Sequence, residues 1–117
     1  MIRLIMKQII VIRKDLKMRR GKEIAQGAHA AVGVVLELDK TALKKWQVSG
    51  MKKICCQVNS EEELLTLHTM AMEANIPCYL VTDAGLTELP ESTITCLAIG
   101  PDNDELMDNI TGNLSLY

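Results

Sequence analysis

Residues 8–30 read QIIVIRKDLKMRRGKEIAQGAHA, and they contain the local patterns that decide the fold. Gln8 to Ile12 form a nearly continuous β-branched run, which is typical of a strand covered on both faces. A basic turn follows, and a helical pattern begins near Lys22. Basic side chains and the outward N–H groups of a helix start then lie together. This arrangement favours binding of a phosphate-bearing ligand.

The rest of the chain alternates between helical and strand-like segments. After the first strand we expect a helix over about residues 22–38, a short helix over 41–50, a strand over 53–58, a helix capped by Ser60, strands over 78–82 and 93–99, and a last helix over 102–109. Ser60 and Glu63 have the spacing of a capping box. The order predicts one α/β domain over residues 1–117. We expect a three-layer α/β/α arrangement with a mixed, roughly four-stranded sheet.

The periodicity of the first helix predicts two faces. Apolar residues recur at steps of four and three, and they are Ile24, Ala28, Ala31, Val35 and Leu38. We expect this stripe to pack against the sheet. At about 100° per residue, the opposite side holds Lys22, Gln26, His29 and Gly33. A lysine, an amide and an imidazole are therefore predicted to share a face that points away from the core.

Charge is distributed unevenly along the chain. The formal net charge of −2 does not by itself favour nucleic acid, but residues 1–22 carry +7 and residues 23–117 carry −9. A chain polarised in this way can bind phosphate at one end. With one Trp, two Tyr and no Phe, it has little material for an aromatic platform that stacks single-stranded bases.

The four cysteines have no CxxC spacing and fall in apolar, strand-like runs. We expect buried free thiols in a reducing compartment, with no metal or redox role. Charges near Met1 are too closely spaced for a signal peptide, and no apolar run approaches about 18 residues. We therefore expect a cytoplasmic location. We expect no association with a membrane and no bound metal or cofactor.

A second candidate site follows the predicted strand over 78–82. Asp83-Ala84-Gly85-Leu86-Thr87 stands at the C-terminal end of that strand, where α/β sheets usually bind ligands. Asp-Ala-Gly is also ordinary turn chemistry. The residue types alone therefore leave a structural role open, both here and on the helix face.

Short sequence motifs spaced along nearly the whole chain resemble those of a known family. From about Lys7 to its C-terminus the chain resembles the second class of peptidyl-tRNA hydrolases, the type common in archaea and eukaryotes. The blocks occur in the order of the family, and they are Asp15-Leu16-Lys17-Met18, Gly21-Lys22, Ala25-Gln26, His29-Ala30-Ala31, Trp46, Asp83-Ala84-Gly85 with Thr87, Gly100-Pro101, and Thr111-Gly112 with Leu114.

The resemblance implies hydrolysis, by attack of water, of the ester that joins a stalled peptide to the 3′ ribose of tRNA. The catalytic residues that we assign from it are Lys22, Asp83, Thr87 and His29. The substrate-binding residues are Lys17, Arg19, Arg20, Gln26, Gly85 and Gly112. The partner it implies is the acceptor end of peptidyl-tRNA, and it is compatible with a homodimer.

Within this scheme Asp83 orients or deprotonates a water, Thr87 positions that water, and Lys22 grips phosphate or ribose or stabilises the oxyanion. The sequence departs from the family pattern at three positions. Glu88 stands where a Gln is common, Asn113 where a His is common, and Ser115 where a basic residue is common. These departures keep two alternatives open. One is a catalytically silent relative that binds RNA or a protein, and the other is a hydrolase of another acyl ester or amide.

Overall fold

The computed structural model describes residues 5–84, 89 and 92–117. Five strands in this part are β1 (Met6–Arg13), β2 (Lys53–Val58), β3 (Cys78–Asp83), β4 (Thr93–Asn103) and β5 (Ser115–Leu116). Four α-helices are α1 (Arg20–Val35), α2 (Lys40–Val48), α3 (Glu61–Glu73) and α4 (Asp104–Thr111). Lys14–Leu16 form a 3-10 turn between β1 and α1. The predicted order of elements is confirmed.

The strands form one mixed sheet in the order β3-β4-β1-β2-β5. β1 runs parallel to β2, whereas the β1–β4, β3–β4 and β2–β5 pairs are antiparallel. The predicted α/β class and mixed sheet are thus confirmed, but the described residues form a sheet of five strands instead of roughly four. The additional strand, β5, has two residues, which is too short to produce a recognisable alternation in the sequence.

Alternating side chains of the central strands supply a core on each face of the sheet. On one face Ile9 and Val11 pack with Leu64 of α3 and Met107 of α4. On the other face a second cluster is built from Ile12, Cys96, Ala98, Ala30 and Val34. The helix α1 therefore covers one face and α3 and α4 cover the other.

The buried face of α1 differs from the predicted one. Its buried residues are Glu23, Gln26, Gly27, Ala30, Ala31, Gly33 and Val34. Of the predicted apolar stripe, Ala31 is buried and Val35 is half-buried, but Ile24 is 66% exposed. Lys22, Gln26, His29 and Gly33 do share one side of α1, yet that side is turned toward β3 and does not point away from the core.

Close approach between α1 and the sheet explains this difference. Gly33 packs directly on Tyr79 of β3, and a Cβ at this position would lie 2.4 Å from the ring. Small residues at the contact let the helix lie near the strands, and larger apolar residues such as Val32 and Leu36 remain outside, 55% and 80% exposed. A hydrophobic periodicity follows the large side chains, so it indicated the wrong face.

The four cysteines are free. Adjacent Cys55 and Cys56 point to opposite faces of β2, and the expectation of buried thiols is wrong for Cys55, which is exposed. Burial raises the pKa of the Cys96 thiol to about 12. Within the ranges described, no three His, Cys, Asp or Glu side chains converge as metal ligands, and no helix is long and apolar enough to cross a membrane.

Lys7 of β1 is itself buried and forms ion pairs with two partly exposed carboxylates, which we expect to stabilise the fold. Its Nζ lies 2.6 Å from Asp108 and 3.0 Å from Asp104, both in α4. Burial lowers the pKa of Lys7, but the hydrogen bonds to the two carboxylates outweigh it and raise that pKa above its ordinary value. The stabilisation is therefore complete below the pKa of the unfolded chain and is lost as the pH rises through the higher folded value.

Replacing this lysine tests the pair. We expect Lys7→Ala to lower the free energy of unfolding by about 2 kcal/mol at pH 7, as for a hydrogen-bonded charged group. The exposed control Lys44→Ala is expected to change it by less than about 0.5 kcal/mol. Urea unfolding at pH 7 and above pH 10.5 measures both variants. A difference between Lys7→Ala and wild type that does not shrink at the alkaline pH contradicts the prediction.

Candidate active site

A lysine and an aspartate that are 61 residues apart form the centre of the site. Lys22 lies in the first turn of α1, and Asp83 is the last residue of β3. The Lys22 Nζ donates to the Asp83 Oδ1 at 2.5 Å. The two side chains are only 15% and 6% exposed. The packing of α1 across β3 and β4 therefore brings together the two predicted clusters that sequence could not connect.

This pair has two complementary chemical abilities. A carboxylate can orient a water and accept its proton. An ammonium held next to it can donate a hydrogen bond to an oxygen on which negative charge develops. Since both groups are largely removed from solvent, each is stabilised by the other, and both act in a medium where charge interactions are stronger than in water.

The basic turn before α1 is held in place by Arg13. Its guanidinium bonds both carboxylate oxygens of Asp15, at 3.1 and 2.6 Å, and also donates to the Ile94 carbonyl at 2.9 Å. The hydrogen bonds to Asp15 raise the pKa of Arg13. The ion pair neutralises Asp15, which is the only acidic residue of the turn. The hydrogen bond to Ile94 joins the turn to β4.

Three predicted substrate-binding residues follow on the exposed part of that turn. Lys17 ends the 3-10 turn with a left-handed backbone, at φ 53° and ψ 40°. Arg19 is the N-cap residue of α1, and Arg20 is its first residue. All three are exposed. Positive side chains thus surround the start of α1, where the helix dipole also favours an anion.

A hydrogen-bond network around the buried Glu23, near the start of α1, was not predicted from the sequence. The Glu23 carboxylate is buried and accepts hydrogen bonds from Tyr117 and from the Lys14 Nζ, the latter at 3.3 Å. The Lys14 Nζ also donates to the Tyr117 hydroxyl at 2.6 Å. This network ties the basic turn, α1 and the segment after β5 together. Tyr117 lies 94 residues after Glu23 and the three residues form no motif, so no sequence signal could have found the network.

Gln26 lies about one helical turn after Lys22. It was predicted to lie on a face that points away from the core, but its side chain is buried. It is 7% exposed, and its Nε2 donates to the Thr95 Oγ1 at 3.0 Å. Thr95 Oγ1 in turn donates to the Val81 carbonyl at 3.4 Å. The amide therefore connects α1 to β4 and β3, which indicates that its function is to position the helix.

His29 and Gly112 lie away from the ion pair. His29 lies about two helical turns beyond Lys22, is exposed, and stacks against Tyr79 with ring centroids 6.1 Å apart. Gly112 ends α4, on the other face of the sheet, where a Cβ would lie 2.5 Å from the Asp108 carbonyl oxygen. Gly85, Thr87 and Glu88 lie outside the described residues.

The fold and the site together define a class, namely small α/β proteins that hold a lysine–aspartate pair beside a basic helix start. Comparison with known proteins narrows the class. The family model described as peptidyl-tRNA hydrolase PTH2 matches residues 6–117. The chain belongs to this family.

Individual relatives agree with that result. A protein named peptidyl-tRNA hydrolase from Methanothermobacter thermautotrophicus is 50% identical over 111 residues, which cover 95% of this chain and 99% of the relative. Proteins of the same name from Methanopyrus kandleri and Haloquadratum walsbyi are 46% and 49% identical over 112 residues each. These two comparisons cover 94% and 96% of this chain and 97% and 100% of the relatives.

The position of Gln26 leads to a testable prediction about its function. We expect Gln26→Ala to lower the free energy of unfolding by about 1–3 kcal/mol, because it leaves a cavity and removes the bond to Thr95. Urea unfolding measures the effect. Ala25→Ser is the control, because Ala25 is an exposed neighbour whose side chain makes no hydrogen bond. An unchanged stability combined with a higher KM for substrate would instead assign Gln26 to substrate binding.

Proposed function

We propose that this protein hydrolyses the ester between a peptide and the 3′ ribose of tRNA, and so recycles tRNA from stalled translation. The observation that carries the proposal is the 2.5 Å contact between Lys22 and Asp83 beside the basic start of α1. One group can activate water, the other can stabilise an oxyanion, and the adjacent charges suit a nucleic-acid phosphate. Family membership supplies the substrate class.

The proposed reaction uses water as the nucleophile. Asp83 accepts a proton while the water oxygen bonds to the ester carbonyl carbon. Lys22 donates a hydrogen bond to the resulting oxyanion. The carbon–oxygen bond to the ribose then breaks, and the ribose oxygen takes the proton held by Asp83. The peptide leaves as a carboxylic acid, which releases the second proton of the water to solvent and becomes a carboxylate. All atoms are accounted for by water and substrate, so no covalent enzyme intermediate is required.

The other assigned residues receive different weights. Thr87 stands four residues after Asp83 and is proposed to position the attacking water. His29 is about 10 Å along α1 from Lys22 by helical rise, so we propose that it contacts substrate and does not transfer the proton. Gly112 is proposed to end α4 only.

Phosphate binding is proposed for Lys17, Arg19 and Arg20. They are exposed around the N-terminus of α1, and Arg13 fixes the turn that carries them. Because these contacts read phosphates and not bases, tRNA sequence should matter little. An activity in translation also leads us to propose a cytoplasmic location and one α/β/α domain over residues 1–117. A homodimer stays a prediction.

Single-turnover cleavage of a labelled N-acetyl-aminoacyl-tRNA tests the catalytic pair. We expect Lys22→Ala and Asp83→Asn each to lower the rate by more than about 100-fold, and the double variant to lose little more, because the two groups act as a unit. Lys44→Ala is the matched control for removal of a lysine and should retain the wild-type rate. Circular dichroism checks that every variant is folded.

Two results would favour the alternatives. If the wild type binds tRNA tightly and releases nothing, the protein is a silent RNA-binding relative. If it cleaves an acyl ester without the tRNA body equally fast, it is a hydrolase of another substrate class.

Salt dependence tests the phosphate contacts. If the three cations neutralise three phosphates, the affinity for tRNA should fall about 40-fold between 50 and 200 mM salt. Arg20→Ala should reduce the slope of log affinity against log salt by about one unit, since it removes one contact. Filter binding measures both quantities. An affinity that is independent of salt contradicts the assignment.

A further inference from the structure

We infer that the cleft between α1 and β3, beyond Lys22 and Asp83, binds the peptide part of the substrate; this inference rests on the proposed function. The cleft has a volume of about 570 Å³. Its lining from α1 includes Ala25, His29, Val32 and Leu36, and its lining from β3 is Tyr79. These residues were not assigned to the acyl group by the sequence analysis.

The cleft lies along α1 on the C-terminal side of Lys22. It begins at Ala25, three residues after Lys22 on α1. On the opposite wall, Tyr79 lies four residues before Asp83 on β3, and both side chains face α1 through their contacts with Gly33 and Lys22. A group attached to the ester carbonyl at the ion pair would therefore be directed along the two elements that line this cleft.

The two sides of Lys22 along α1 differ in chemistry, and so do the tRNA and peptide parts of the substrate. On the N-terminal side of Lys22 the exposed basic residues are Lys17, Arg19 and Arg20, which suit the polyanionic tRNA. On the C-terminal side the cleft is apolar except for His29 and, at its far end, Glu37. Phosphates are favoured in the first direction and a largely uncharged acyl chain in the second.

The edge of β3 also offers main-chain contacts that do not depend on the side chains of the peptide. In the described part of the sheet β3 is an outer strand, so its outward main-chain groups are not used by another described strand. An extended peptide can bond such groups regardless of its side chains. Its C-terminal ester lies at the end of β3, so the peptide would run parallel to β3. Exposed Val32 and Leu36 then offer apolar contact.

The distance along the cleft decides which peptide lengths the test should compare. Val32 is ten residues after Lys22, about 15 Å along α1. An extended peptide spans about 3.4 Å per residue. A chain of five residues therefore reaches Val32, whereas a single acetylated amino acid does not.

The test compares N-acetyl-aminoacyl-tRNA with an N-acetyl-pentapeptidyl-tRNA that has the same tRNA, the same C-terminal residue and uncharged side chains. We expect wild-type kcat/KM to be about tenfold higher for the pentapeptide. The double variant Val32→Gln/Leu36→Gln should lose most of that advantage and retain the short-substrate rate within about twofold, because it removes apolar surface without adding charge.

A matched control uses exposed apolar residues that do not line the cleft. Val48 in α2 and Leu106 in α4 are 72% and 50% exposed, comparable with Leu36 and Val32. The double variant Val48→Gln/Leu106→Gln should behave as wild type with both substrates. Sedimentation velocity on all three proteins reports whether either pair of substitutions changes the oligomeric state.

The outcomes separate this inference from the proposed function. No cleavage of either substrate by wild type overturns the proposed function itself. Cleavage of both with no preference for length, or equal effects of Val32→Gln/Leu36→Gln on both, overturns the peptide cleft and leaves the hydrolase intact. Conversion of a dimer to a monomer by that variant, with equal effects on both substrates, assigns the cleft to contact between copies.

Discussion

The close packing of α1 on β3 and β4 is the constraint on which the rest of this structure depends. Gly33 against Tyr79 sets the distance, and the Gln26–Thr95 bond sets the rotation of the helix. In this position the first turn of α1 reaches the end of β3, where Lys22 meets Asp83. A larger residue at the contact would move the helix away, and the ion pair with it.

The same packing produces a site with two chemically different ends. The basic turn is fixed at the N-terminal end of α1 by Arg13 and by the network of Lys14, Glu23 and Tyr117. The other end is the apolar cleft along α1 and β3. A lysine–aspartate pair between a cationic region and an apolar one suits the ester that we propose as substrate, which has a polyanion on one side and a peptide on the other.

Several parts of the fold were predictable because their signals are local. The capping box at Ser60 is one: Ser60 accepts from the Glu63 N–H, and Glu63 accepts from the Asn59 N–H, both at 3.1 Å. The strand over 53–58 coincides with β2. The side of α1 was not predictable in this way, because burial of glycine and alanine leaves no strong hydrophobic signal while exposed Ile24 gives one.

The sequence by itself determined the family, the order of elements and the identity of Lys22 and Asp83 as candidates, since motifs and periodicity are properties of neighbouring residues. Only the tertiary structure decided that these two residues touch, that Gln26 is a buried connection, and that His29 lies away from the pair beside Tyr79. Contacts between residues tens of positions apart depend on how closely a helix approaches a sheet, and that distance is set by packing rather than by any local pattern.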